Sequence, residues 1–92
     1  MLELSYTGIF KRDYKREKAG RHANDLDDLL KPILDLLVGE AALPVANKDD
    51  PLKGVWKGHR DCHIKPDLVL IYRKTNTAIE LVRLGSHSEL FG

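Results

Sequence analysis

Lys48-Asp49-Asp50-Pro51-Leu52-Lys53-Gly54 runs into Trp56-Lys57-Gly58-His59-Arg60-Asp61-Cys62-His63 and then Pro66-Asp67, with Arg83, His87 and Phe91 following near the end. Three of the four histidines thus lie in or beside short apolar runs, among cations and carboxylates. Imidazole exchanges a proton near neutral pH. Lysine and arginine hold phosphate oxygens. An acid, a base and a phosphate clamp together are the equipment for cleaving an RNA backbone.

His59, Cys62 and His63 invite a zinc reading, but strand parity opposes it. Side chains alternate along a strand, so His59 and His63 share one face while Cys62 points to the other. With a single thiol in the chain, a tetrahedral site lacks its ligands. No metal and no cofactor are expected, and Cys62, alternating with Ile64, reads as a small core residue. His63 shares its face with Asp61. On the last strand Ile79, Leu81, Arg83 and Gly85 share a face, and His87 continues that parity in an extended chain. Arg83 and His87 so spaced reach one phosphate. The alternative on spacing alone is an Arg83 paired with a carboxylate and a His87 that is only a surface residue. Trp56 and Phe91 each stack a base or fill the core. Ser86 and Ser88 flank His87 without a second base to activate them.

The elements that must position these groups follow from periodicity. Leu2, Leu4 and Tyr6 alternate with polar residues as a short first strand. Thr7 or Ser5 caps a helix from about Ile9 to Lys18, with Ile9, Phe10 and Tyr14 as its apolar stripe and Gly20 as its stop. A second helix follows an Asn24 or Asp25 cap. Leu26, Leu29, Leu30, Ile33, Leu34 and Leu37 recur at helical spacing along it, Pro32 bends it, and Gly39 ends it. Ala41 to Gly58 reads as loop. Three strands come next: His59 to Ile64, Leu68 to Arg73 and Ile79 to Gly85, joined by hairpin-length links. Leu68-Val69-Leu70-Ile71-Tyr72 is apolar on both faces and so predicts a central strand. The order β-α-α-β-β-β predicts an α+β fold, an antiparallel sheet with two helices on one face.

Composition bounds the rest. At 92 residues the chain is one domain, 1–92, with a modest core. It is 42% hydrophobic and 32% charged, the balance of a globular protein, with no apolar run of membrane length. The start Met1-Leu2-Glu3-Leu4-Ser5 does not read as a signal peptide, and the lone cysteine fits a reducing cytoplasm. Net charge is only +1, yet it is unevenly placed. Residues 21–47 are acidic. Residues 48–74 carry Lys48, Lys53, Lys57, Arg60, Lys65, Arg73 and Lys74 against four aspartates, a surface for RNA or an acidic partner. A second basic run, Lys11-Arg12 with Lys15, Arg16 and Lys18, lies near the start and reads as a solvated helix face.

These residues resemble a family. The segments 48–54, 56–63, Pro66-Asp67 and Val82-Arg83-Leu84-Gly85-Ser86-His87-Ser88-Glu89-Leu90-Phe91 are similar to the YafQ branch of the RelE/ParE toxins, the toxin halves of bacterial type II toxin–antitoxin systems. The resemblance implies a ribosome-dependent mRNA endonuclease that cuts codons in the A site. It also implies that the RNA's own 2′-hydroxyl is the nucleophile, so the protein supplies base, acid and charge stabilisation without a metal. By position it implies a cluster of His63, Asp67, Arg83, His87 and Phe91. In it His87 is the acid for the leaving 5′-oxygen, Arg83 the phosphate holder and Phe91 a support for a base or for His87. His63 and Asp67 assist proton removal or position the RNA, and Lys48, Lys53, Lys57 and Arg60 bind its backbone. A RelB/DinJ-like antitoxin is the implied partner, alongside the ribosome and mRNA.

Asp50 stands where relatives commonly carry His. An ordinary aspartate is ionised at neutral pH, donates no proton and repels phosphate, so activity is expected to be weakened there. Leu68 replaces a Trp found in some relatives. A gyrase-poisoning toxin of the ParE kind and a non-catalytic RNA-binding module are the rival readings. The titrating groups around a phosphate clamp argue against the first.

Overall fold

Thr7 ends the first strand and begins the first helix with one hydroxyl, whose Oγ1 accepts the Phe10 N–H at 2.9 Å. In the computed structural model, which describes residues 1–92, β1 (Glu3–Tyr6) leads through this cap into α1 (Gly8–Ala19). Phe10 is buried and Tyr14 half-buried, but Ile9 is exposed and lies off the stripe predicted for it. The second helix, α2 (Leu26–Val38), runs through Pro32 and stops at Gly39. Leu26, Leu30, Ile33 and Leu37 bury its apolar stripe. Asp25 occupies the cap position without capping, because its carboxylate pairs with Lys65 at 2.7 Å instead.

The segment read as loop contains two short 3-10 turns, Val45–Asn47 and Gly54–Trp56, and a two-residue strand, β2 (Asp50–Pro51). Gly54 and Gly58 take positive φ of 66° and 89° there, a conformation open to glycine at little cost. Three longer strands follow, β3 (Arg60–Lys65), β4 (Leu68–Lys74) and β5 (Ala78–Gly85), and then a short helix, α3 (His87–Phe91). The sheet order is β1-β5-β4-β3-β2. As its double-sided apolar run predicts, β4 is central, with Leu68 to Tyr72 all buried.

Two features depart from the sequence reading. β1 pairs with β5 in parallel, whereas every other pairing is antiparallel. Hairpin-length links fix strand direction, but a strand separated from the sheet by two helices carries no such signal. The other departure is a bulge in β5. Ile71 faces Arg83, but Tyr72 faces Leu81, so Val82 is an extra residue. A bulge reverses side-chain parity beyond it. Ile79 and Leu81 join the core under the helices, and Arg83 turns away from them instead of sharing their face.

The sheet thus has two unlike faces. One is covered by α1 and α2 over Leu68, Leu70, Tyr72, Ile79, Leu81, Leu84, Cys62 and Ile64. The other carries only Val69, Ile71 and Leu90 as buried hydrophobic side chains, with Leu52, Trp56, Val82 and Phe91 partly buried around them.

α1 also does the work of a strand. β1 ends opposite Leu81, leaving the rest of the β5 edge unpaired. The Thr7 hydroxyl donates to the Val82 carbonyl at 2.9 Å, Arg16 Nη2 to the Leu84 carbonyl at 2.9 Å, and the Leu84 amide donates to Asp13 Oδ2 at 3.1 Å. Backbone groups that a missing neighbour would orphan are thereby satisfied.

Candidate functional site

The predicted site residues gather on the thinly covered face. Asp50 lies opposite Asp61, Asp61 opposite Ile71, and Ile71 opposite Arg83, making one row across four strands. A second row runs His63, Val69, Gly85. Adjacent strands lie about 4.8 Å apart, so Asp61 and Arg83, like His63 and Gly85, are about 10 Å apart at the backbone.

His87 reaches this face differently from the extended path predicted for it. Ser86 caps α3: its Oγ accepts the Glu89 N–H at 3.2 Å, and Glu89 Oε1 accepts the Ser86 N–H at 2.8 Å. This capping box stops the strand and turns the chain. Leu90 then packs with Val69 and Ile71. His87 stays exposed, its ring centroid 4.8 Å from that of Phe91 one helical turn on. Ser86 Oγ is engaged in the cap. Gly85 permits the close approach, since a Cβ there would meet Glu89 Oε1 at 3.2 Å and Leu90 Cδ2 at 3.4 Å.

Arg83 is not free. Its Nε donates to Asp13 Oδ2 at 2.7 Å and its Nη2 to Oδ1 at 3.3 Å, so the carboxylate pairing that spacing left open does occur. Burial alone would raise the Asp13 carboxyl. The hydrogen bonds from Arg83 and the Leu84 amide, with the charges of Arg83 and Arg16, outweigh it and hold the group below its ordinary value. Asp13 has no signature in the sequence beyond being an acid inside a basic run.

Asp61, only 8% exposed, is the second carboxylate the sequence reading left out of the site. Burial pushes its carboxyl up, the charges of Asp50 and Asp49 push the same way, and His63 and His87 oppose them. Its shared parity with His63 was the available signal. His63 is half-buried; its carbonyl accepts from Asn47 Nδ2 at 2.7 Å, and its Nδ1 is shielded without a partner.

Other predicted residues lie elsewhere. Arg60 points to the helix-covered side, where its Nε donates to Asp49 Oδ1 at 3.1 Å and Tyr72 Oη donates to the same oxygen at 2.6 Å. Asp67 sits in the β3–β4 turn, paired with Arg21 of the α1–α2 link. Lys65, Arg73 and Lys74 pair with Asp25, Glu80 and Glu40, which leaves Lys48, Lys53 and Lys57 as the basic half's cations without a carboxylate partner. Trp56 packs edge-on against His59 at 5.4 Å. Cys62 is fully buried, its thiol pushed up to about 12 by desolvation and so unreactive. A cleft of about 690 Å³ near Leu4, Phe10 and Leu34 contains none of the predicted site residues.

A family model for the bacterial toxin of type II toxin–antitoxin systems, YafQ, matches residues 2–92. The mRNA interferase toxin YafQ of Escherichia coli (strain K12) is 38% identical over 91 residues, covering 98% of this chain and 96% of that protein. The crystal structure of YafQ from E. coli strain BL21(DE3) superposes with a TM-score of 0.88 at 36% identity, covering 100% of both chains. A chain of the crystal structure of the E. coli DinJ–YafQ complex gives 0.87 at 35% identity, again over 100% of both. With nearly its whole length matched, the chain belongs to the YafQ family of type II toxin–antitoxin toxins.

Proposed function

We propose that this chain is a ribosome-dependent mRNA endonuclease, silenced by a DinJ-like antitoxin and working in the cytoplasm on codons in the A site. The observation that carries the reading is the convergence of His63 from β3, Arg83 from β5 and His87 from α3 on one open face around Asp61. The activity of the E. coli relative and the DinJ complex of another solved relative support it.

In this reading the RNA 2′-hydroxyl attacks the neighbouring phosphorus. The new P–O2′ bond forms as the P–O5′ bond breaks, giving a cyclic phosphate and a 5′-hydroxyl. His63, backed by Asp61, takes the 2′ proton, and His87 returns one to the 5′-oxygen. Phe91 holds the His87 ring from one side. Arg83 offers Nη1, which has no partner within the protein, to the non-bridging oxygens. Lys48, Lys53 and Lys57 hold flanking phosphates. Asp67 acts at one remove, tying the β3–β4 turn to Arg21. Asp50 adds a negative charge beside Asp61, which slows the reaction relative to a histidine there.

Primer extension on mRNA from cells making the chain tests this. In-frame cuts are expected, with His87→Ala reducing their rate by about 10²- to 10⁴-fold, the range for a lost general acid. Intact mRNA in growth-arrested cells, with altered plasmid supercoiling, would replace the nuclease with a gyrase poison.

A further inference from the structure

We propose that Asp13 is a positioning residue for Arg83, setting the guanidinium edge that meets the scissile phosphate; this rests on the reading of Arg83 as the phosphate clamp. Asp13 is 2% exposed, and every acceptor direction of its carboxylate is used. Oδ2 takes Arg83 Nε at 2.7 Å and the Leu84 amide at 3.1 Å, while Oδ1 takes Arg16 Nη1 at 2.9 Å and Arg83 Nη2 at 3.3 Å.

Capping the Leu84 amide needs only a neutral oxygen. Gripping the Nε–Nη2 edge of a guanidinium from two oxygens needs a carboxylate. That grip fixes the plane of a long, flexible side chain and leaves Nη1 as the free edge. The other arginine–carboxylate contacts, such as Arg73 with Glu80 and Arg16 with Glu17, involve arginines nearly half exposed, whereas the Arg83 side chain is 24% exposed and its partner 3%. The bulge at Val82 swings Arg83 onto the site face, and α1 brings Asp13 to the rim of that face beside Leu84. The same carboxylate thus anchors the edge of β5 and aims its arginine.

Asp13→Asn separates the two roles, since an amide oxygen still accepts from Leu84 but carries no charge. Single-turnover cleavage of ribosome-bound mRNA at saturating toxin is expected to slow about 10- to 100-fold, the cost of a misplaced group, with ribosome affinity little changed and the thermal midpoint lowered, since the charged carboxylate also stabilises the fold. In an Arg83→Ala background the same change should matter by less than about twofold. Asp13→Glu, charged but one methylene longer, should fall between parent and Asn in kcat at unchanged KM. The Arg83 Nε–H resonance in ¹⁵N spectra should be protected in the parent and lost in Asn. Equal slowing in both backgrounds makes Asp13 merely structural and overturns the proposal. Parental kcat in both the Asn and Glu variants, with Arg83→Ala dead, overturns it while leaving the clamp intact. Arg83→Ala cleaving at the parental rate removes the clamp reading, and this inference with it.

Discussion

The two faces of the sheet are built to different standards. Under α1 and α2, 14 buried residues form one continuous cluster, whereas the opposite face has three. The first face holds the chain together. The second, covered by a five-residue helix, Leu52 and the turn that carries Trp56, can carry a half-buried histidine and a buried carboxylate because little of the fold depends on it. Titratable groups are costly inside a core, and here they collect where the core is thinnest.

The same deletion on each face should therefore do opposite harm. Leu30→Ala, under the helices, is expected to cost about 2–5 kcal/mol. That lowers the midpoint of a domain this size by roughly 10–30 °C. Leu90→Ala should move the melt only a few degrees, because a short helix can undock locally. It should nonetheless slow cleavage by about tenfold or more, since His87 and Phe91, the acid and its support in the proposed mechanism, ride on that helix and misplacement of a reacting group is costly. Equal melting losses, read by calorimetry, would show that the site face is as structural as the other.

Asp50→His sharpens the contrast within the site face. Replacing the charge beside Asp61 with an imidazole is expected to raise the single-turnover cleavage rate by about tenfold, below the full range for a general acid because the proposed mechanism already gives His63 and His87 the proton transfers. An unchanged rate would mean that Asp50 only shapes its short strand.

Asp61→Asn is the smallest effect and the one with a pH signature. Burial, with Asp50 and Asp49 against His63 and His87, raises the folded-state value of the carboxyl. Folding then favours its protonated form. The stabilisation is complete below the ordinary carboxylate value near 4 and disappears as pH rises through the folded value. At pH 7 the parent carries the buried charge, so Asn should raise the melting midpoint by a few degrees, and that gain should vanish at about pH 3. A variant less stable than the parent at pH 7 would mean that the charged form is held by a donor.

Much of the scaffold was legible because it is local. The Thr7 cap, the Leu26-to-Leu37 stripe and the apolar run of β4 each announce themselves within a few residues. What escaped is long-range or depends on a broken period. The Asp13–Arg83 bond joins residues 70 apart. The bulge at Val82 overturned a parity argument that was sound for a regular strand. The capping box that makes His87 helical was written in Ser86 and Glu89, but the histidine's apparent strand parity masked it. Arg60 read as a free cation because its partner Asp49 lies on another segment, brought alongside only when the sheet forms.

The use of α1 as a stand-in for a strand has a consequence for the order of assembly. β1 and α1 are synthesised first, yet the strand that β1 pairs with and the edge groups that α1 satisfies lie in β5, 75 residues later for Thr7 and Val82. Contacts of such separation close the largest loops and form late in folding. A translation product halted before β5 holds Asp13 without Arg83 and has neither His87 nor α3 to set beside His63. On the proposed mechanism, half-made chains lack the acid and the phosphate clamp, and cleavage is expected only once the sheet is complete.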